Sequence, residues 1–260
     1  MINFLAAFAW IFDPAHWEGP GGIPVRVLQH LGVTGLTVLI ACLIAIPLGL
    51  LIGHTGRGRG AVIGVTGAAR ALPTFGVLTL FVLIGIQFGF GLSLPLVIVV
   101  LVVLAIPPLL AGAYSGVEAV DRQTVDAARA QGMTEWQILT QVELPLALPL
   151  IVGGLRSATL QVVATATIAA YVAQGGLGRY LIEGVQSRDY VRAVIGAILL
   201  AALALLLDGL FAALQRLVVP RGVSRGPMRK RASRTKSSTG STASEPSRPL
   251  DATRTPVTEG

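Results

Sequence analysis

Three charged side chains stand inside long apolar stretches of this sequence and are the first candidates for a chemical role. Arg70, Arg156 and Asp208 each fall within a block of apolar residues long enough to cross a bilayer as a helix. A charge in that setting is costly and often functional. We expect Asp208 to pair with Arg156 or Arg70 and to hold two spans together near a gate. The alternative is that each side chain simply extends to the inner membrane interface.

The sequence indicates neither a nucleotide site nor a metal site. A P-loop requires a glycine-rich turn followed by Lys and Ser or Thr, but the only lysines are Lys230 and Lys236, near the C-terminus. The single cysteine, Cys42, lies in an apolar block and can form neither an internal disulfide nor a zinc-binding pair. We therefore predict that the chain is not an enzyme and binds no metal or cofactor of its own.

The polar stretch 117–146 between two apolar blocks has the pattern of a two-helix elbow, and its first half predicts a short helix over 125–131. Thr124 can cap the N-terminus of this helix, and Asp126 would stand in the first turn, where a negative charge suits the helix dipole. Gly132 fits the left-handed position at the C-terminus of the helix. A long loop with such defined ends is expected to be ordered and functional.

The second half of this stretch predicts another helix, over 135–144. Thr134 and Gln137 have the spacing of a capping box, in which each side chain bonds the backbone of the other residue. Pro145 is expected to end the helix, and Pro149 to mark the entry to the next span.

The elements that position these residues are predicted to be membrane helices. Hydrophobic residues make up 53% of the 260 residues and charged residues only 13%, about half the charge of a typical soluble domain. The apolar residues form long blocks, as expected of spans. The predicted fold is all-α, with five transmembrane helices at about 30–53, 61–85, 92–116, 147–173 and 191–214.

The distribution of Lys and Arg predicts the orientation of these spans. Arg57 and Arg59 lie in the link between the first two, and the segment 219–260 carries most of the net charge of +7. Basic segments favour the cytoplasmic side, so we expect a C-terminus inside and, with five spans, an N-terminus outside. The loop 117–146 is then cytoplasmic by the count of spans, because its own charge is net acidic.

The two ends of the chain flank a predicted transmembrane domain at 30–218. Residues 1–29 carry several aromatic residues and predict a short helix at the outer membrane interface, retained rather than cleaved as a signal peptide. The basic segment 219–260 is rich in Ser, Thr, Arg and Pro, so we expect it to be disordered, as a passive topology anchor or in contact with anionic lipid. This topology explains the high net charge without nucleic-acid binding.

The elbow resembles the EAA motif of bacterial ABC import permeases, in which Glu-Ala-Ala, three residues, Gly, nine residues and Ile-x-Leu-Pro follow one another. The same spacing is kept here by Asp126-Ala127-Ala128, Gly132 and Val142-Glu143-Leu144-Pro145. Asp replaces Glu and Val replaces Ile, both conservatively. The resemblance implies a permease subunit with the type I ABC importer (MetI-like) transmembrane domain, multi-pass in the bacterial plasma (inner) membrane.

The resemblance also implies the partners. Two ATPase subunits, separate chains that bind ATP and Mg, would receive the elbows in surface grooves. A second permease copy or a sister permease would complete the pathway, and an extracytoplasmic binding protein would deliver the substrate. On this basis the ATPase-coupling residues are Asp126, Ala127, Ala128, Gly132, Thr134, Leu144 and Pro145.

Within these permeases the chain looks closest to the glycine betaine/carnitine/choline/proline group. The similar segments are His30-Leu31-Gly32-Val33-Thr34, Ile46-Pro47-Leu48-Gly49, Arg70-Ala71-Leu72-Pro73-Thr74 and Gln174-Gly175-Gly176-Leu177-Gly178. Methionine or other amino-acid permeases, which share a similar Gly-Gly-Leu-Gly turn, are the alternative on substrate.

Candidates for the pathway or its gate are Pro73, Tyr171, Gly175 and Gly176, although Tyr171 also suits a packing or lipid-facing role. Two other functional classes are a stand-alone secondary transporter or channel, and a membrane scaffold. The first needs an inverted repeat or ion-coupling residues deep in the membrane, and the sequence indicates neither.

Overall fold

Backbone polar groups inside a bilayer must be satisfied within the protein, which favours helices. In the computed structural model, the regular elements are helices throughout the residues described, which are 4–71, 74–89, 93–170 and 175–218. The basic segment 219–260 lies outside this description. The all-α prediction is therefore confirmed for the described part of the chain.

Among the described residues, four helices are long and apolar enough to cross a membrane: Ile23–Thr55, Leu94–Glu118, Glu135–Thr167 and Tyr190–Val218. We label α2 Ile23–Thr55, α5 Leu94–Glu118, α8 Leu144–Ala169 and α10 Tyr190–Val218. The predicted first, third, fourth and fifth spans fall on these helices. The first begins earlier than predicted, because Pro24 stands in the first turn of α2, where its missing N–H leaves no bond unmade.

The predicted second span, 61–85, falls on two helices, α3 at Arg59–Ala71 and α4 at Thr74–Gln87. Residues 72 and 73 between them lie outside the described residues, and with them the candidate Pro73. The span count of five therefore stays a prediction.

The N-terminal segment forms a helix, as predicted: α1 at Phe4–Phe12, followed by a 3-10 turn at Pro14–His16. One face of α1 is buried against α10, where Ala7 and Ile11 contact Ile195. The segment is thus packed against the last long helix through one of its faces.

The centre of the fold is formed by α2, α5 and α8, which approach closely through small residues. A Cβ built on Gly49 would lie 2.6 Å from the Cβ of Ala113, and one built on Gly112 would lie 2.8 Å from the Cα of Gly154. Small residues at helix interfaces let backbones approach in membranes, where dispersion contacts drive association.

A further helix, α9 at Gly178–Gln186, stands between α8 and α10 and was not predicted. It lies on α10, where Gly184 leaves room for the backbone of Ala193. The hydroxyl of Tyr180 donates a 2.6 Å bond to the carbonyl of Gly21, which fixes α9 beside the start of α2.

Candidate functional site

The first half of the elbow is helix α6, Arg122–Ala130. Its N-cap is Asp121, whose side chain accepts a 3.0 Å bond from the backbone N–H of Gln123. The prediction that Thr124 caps this helix was therefore wrong, because Asp121 offers an equally good cap three residues earlier. Asp126 consequently lies beyond the first turn, and its carboxylate pairs with Arg129 at 3.2 Å.

The bend and the second cap follow the prediction. Gly132 has a φ of 84°, and no atom lies within 4 Å of a Cβ built on it, so only the backbone conformation demands glycine here. The Thr134 backbone N–H donates to Gln137 at 2.8 Å, and the Gln137 N–H donates to the Thr134 hydroxyl at 3.4 Å. This capping box begins helix α7, Glu135–Ile138.

The end of the second helix differs from the prediction. After α7 the chain forms a π-helical turn at Leu139–Glu143, and α8 then continues without a break from Leu144 to Ala169. Pro145 therefore does not end the helix. The wider π turn before it relieves the clash that a proline ring makes with the carbonyl four residues earlier.

The elbow has a small core of its own, formed by Val125, Ala128 and Ile138. Ala128 is thus an internal packing residue, whereas Ala127 is exposed on the surface of α6. Of the two alanines predicted to approach a partner, only Ala127 is free to do so. Ala127 also lines an open cavity of about 470 Å³ beside the elbow.

Two apolar residues of the elbow have opposite environments. The Trp136 side chain in α7 is 72% exposed, a costly arrangement for an aromatic ring without a partner. Leu144 packs beside Ala113 and Val117 of α5, so its role is to seat the elbow on the helix bundle. Trp136 was not singled out from the sequence, because a lone tryptophan carries no spacing signal.

A histidine at the end of α2 joins the elbow to the helix bundle. The Nδ1 atom of His54 lies 2.6 Å from Oε2 of Glu143, and its Nε2 atom lies 3.1 Å from Oε2 of Glu135. Glu135 also accepts bonds of 2.8 and 2.9 Å from the Arg129 guanidinium. This hydrogen bond to Glu135 raises the pKa of Arg129 above its ordinary value, with Asp126 adding to it. No group of three or more His, Cys, Asp or Glu side chains that could hold a metal occurs within the described ranges.

The charges inside the long helices are partly brought together. The Arg156 guanidinium of α8 donates bonds of 2.6 and 2.7 Å to the two carboxylate oxygens of Asp208 in α10. Gln215 adds a 3.1 Å bond to the carbonyl of Pro149 between the same helices. The side chain of Arg70 lies outside the described part of the chain.

The glycine turn after α8 lies against the first turns of α2. The Gly176 backbone N–H donates a 3.0 Å bond to the Gln29 side chain, and a Cβ on Gly176 would lie 3.1 Å from Nδ1 of His30. A Cβ built on Gly175 would lie 2.9 Å from Oε1 of Gln29. The turn therefore packs tightly on α2, while the candidate Tyr171 lies outside the described residues.

The model of one protein family matches residues 45–221 of this chain. Its description is "Binding-protein-dependent transport system inner membrane component". The match includes the elbow and three of the four long helices completely, as well as the end of α2.

Curated relatives cover most of the chain and of their own length. The glycine betaine/carnitine/choline transport system permease protein OpuCB of Bacillus subtilis is 30% identical over 204 residues, which are 78% of this chain and 91% of the relative. The osmoprotectant import permease protein OsmW of Salmonella typhimurium is 32% identical over 216 residues, 81% of this chain and 99% of the relative.

Solved structures share the fold. A chain of the inward-facing MetNI methionine ABC transporter aligns with a TM-score of 0.65 at 23% identity, covering 75% of this chain and 95% of that one. An amino acid ABC transporter crystallised with histidines aligns with a TM-score of 0.59 at 21% identity, covering 84% of this chain and 97% of that one. At these identities the likeness is one of fold.

Proposed function

We propose that this chain, which belongs to the family of binding-protein-dependent transport system inner membrane components, carries a small osmolyte across the inner membrane. The chain is a permease subunit of an ABC importer, and its relatives are permeases rather than ATPases. The substrate class is glycine betaine, choline, carnitine or proline. The observation that carries this class is the near full-length match to relatives named for glycine betaine, carnitine and choline.

The elbow is the proposed docking site for a separate ATPase subunit, which binds ATP and Mg. Its exposed Ala127, the adjoining cavity and the exposed ring of Trp136 support this assignment. Because small residues permit close approach and aromatic residues anchor interfaces, the combination suits a protein partner. A second permease, either a copy or a sister chain, and an extracytoplasmic binding protein complete the proposed importer.

The proposed arrangement has five spans, with the N-terminus outside and the C-terminus in the cytoplasm. The elbow then faces the cytoplasm, where the ATPase resides. Arg57 and Arg59 on the same side support this orientation. The proposed domains are an interfacial segment at 1–29, the transmembrane domain at 30–218 and a basic cytoplasmic tail at 219–260.

Uptake of labelled glycine betaine, choline, carnitine and methionine, measured in cells with and without this gene, tests the substrate class. We expect one or more of the three quaternary ammonium compounds to depend on the gene. Uptake of methionine alone would contradict the osmolyte assignment in favour of the amino-acid alternative.

The coupling role of the elbow is tested by replacing Gly132 with Ala. A left-handed conformation costs a residue with a Cβ about 1–2 kcal/mol, so we expect the bend to be displaced and ATP-dependent uptake to fall while membrane insertion stays normal. Gly64→Ala is the matched control, because Gly64 also has no atom within 4 Å of its Cβ position but no positive φ. Equal uptake by the two variants would contradict a coupling role for the bend.

A further inference from the structure

We infer that His54 is a positioning residue that ties α2 to both ends of the second half of the elbow, so that the first long helix moves with the coupling segment. The inference rests on the proposed docking of the ATPase at the elbow. His54 stands in the last turn of α2, and its side chain is only 11% exposed. Its two ring nitrogens contact Glu135, the first residue of α7, and Glu143, the last residue of the π turn.

The hydrogen atoms of the imidazole decide how strong this link can be. A neutral imidazole carries one N–H, whereas a protonated ring carries two. Two carboxylates facing the two ring nitrogens can therefore both accept hydrogen bonds only when the ring is protonated. These two contacts are the bridge from α2 to the elbow, and whichever ring nitrogen carries a hydrogen, His54 donates at least one bond across it.

The two carboxylates differ in how much they depend on His54. Glu135 is shared with Arg129, which donates two bonds to it. Glu143 is 5% exposed, and among the described residues its charged partner is His54. A buried carboxylate without a partner is strongly unfavourable. Glu143 is therefore the firmer end of the bridge, and it belongs to the segment that continues into α8.

Other charged residues lie near His54 and Glu143, but they do not replace this pairing. A cavity of about 320 Å³ lies beside this pairing, lined by residues of the end of α2 and of the elbow. Arg59 on its rim is already paired with Glu118 at 2.9 Å. The titratable or charged residues that line the cavity with His54 and Glu143 are Arg59, Tyr114, Glu118, Arg122, Asp126 and Arg129.

Measuring the substrate taken up per ATP hydrolysed distinguishes a positioning role of His54 from a merely structural one. The assay uses the whole importer in proteoliposomes, with labelled glycine betaine and its ATPase and binding protein. We expect His54→Gln to lower uptake per ATP hydrolysed about tenfold, the effect of losing one charge-assisted hydrogen bond, with ATP hydrolysis itself retained. His16→Gln is the matched control and should leave the ratio unchanged. Unchanged coupling in His54→Gln would overturn the inference, as would equal losses of uptake and hydrolysis.

A double variant gives a second readout. Should the unpaired Glu143 destabilise His54→Gln, His54→Gln with Glu143→Gln removes the buried charge and should show the same loss of uptake per ATP. Normal uptake per ATP in the double variant contradicts the bridge.

A distance measurement tests the bridge independently of the substrate. Spin labels at Arg57→Cys and Gln141→Cys, in a chain whose single Cys42 is replaced by Ala, report the separation of α2 and the elbow. We expect this separation to stay the same with and without bound ATP in the otherwise unmodified chain, and to change in His54→Gln. If osmolyte uptake is absent but the distances behave in this way, the substrate proposal fails and the bridge stands. If ATP leaves the separation in His54→Gln as unchanged as in the otherwise unmodified chain, the bridge is overturned.

Discussion

Arg156 and Asp208 pair with each other, because the apolar residues next to each in the sequence offer no charged partner. Each side chain is about one third exposed, at 34% and 32%, and both carboxylate oxygens accept a guanidinium bond. Planar two-bond pairing of this kind is the strongest geometry that arginine offers a carboxylate. The pair therefore fixes the position of α8 relative to α10.

Asp208→Asn should destabilise the protein, because Arg156 would keep its charge but lose its charged partner. We expect a lower Tm of the purified protein in lipid nanodiscs, because hydrogen bonds to charged groups are stronger than those between neutral groups. The double variant Arg156→Met with Asp208→Leu should recover much of the loss, since apolar pairs often replace ion pairs without cost. A double variant less stable than Asp208→Asn would contradict this explanation.

Residues whose role is set by near neighbours could be predicted from the sequence, whereas distant partners could not. Gly132 and Thr134 act on the backbone within three residues of themselves, and the local spacing alone indicated both. His54 and Glu143 are separated by 89 positions, and neither has a pattern around it that points to the other. Their pairing arises from the packing of α2 against the elbow.

At the scale of elements, the contact between α5 and α8 depends on two facing glycines. A Cβ on Gly154 would lie 2.9 Å from the carbonyl oxygen of Pro108 and 3.0 Å from the Cα of Gly112. Contacts this short involve backbone atoms, which cannot move aside without shifting a helix. The two helices therefore approach as closely as their main chains allow.

Gly154→Ala should push α5 and α8 apart, whereas Gly153→Ala, one position earlier, should not. The nearest atom to a Cβ on Gly153 is the Gln215 side-chain nitrogen at 3.6 Å, an ordinary contact. Overpacking costs about 1–3 kcal/mol, so we expect a lower Tm in nanodiscs for Gly154→Ala alone. Equal Tm values for the two variants would show that the interface can adjust.

The existence of the long helices could be predicted from composition, but not all of their ends. Pro145 was expected to stop a helix, because proline usually does so in a regular α-helix. The π turn before it removes that conflict, and nothing in the apolar pattern signals such a turn. Likewise, α9 was missed because it is only nine residues long and lies between a glycine turn and the next long helix.

At the scale of the whole molecule, the number of spans decides on which side each loop lies. Besides the four long helices, the described residues include α3 and α4, which lie between α2 and α5 in the chain and cover the predicted second span. If that region crosses the membrane, the C-terminus and the elbow are both cytoplasmic. The family could be predicted from the spacing of the elbow residues. The span count depends on residues 61–85, where two shorter helices replace one long apolar helix.

Reporter fusions test this topology directly. Alkaline phosphatase, which is active only outside the cytoplasm, should be active when fused after Gln87, and green fluorescent protein should fluoresce when fused to the C-terminus. Both results follow from an N-terminus outside and five spans. An inactive phosphatase fusion together with a dark C-terminal fusion would show that the second predicted span does not cross.

The unbroken connection from the π turn into α8 makes the elbow the short arm of a lever. The 26 residues of α8 give a rod of about 39 Å, so a tilt of about 5° at one end displaces the other by about 3 Å. That other end leads to Gly175 and Gly176, which lie against Gln29 and His30 without room for even a Cβ. A displacement of this size exceeds the clearance at the glycine turn. A small rotation at the elbow should therefore also move the residues packed at that turn, at the far end of α8.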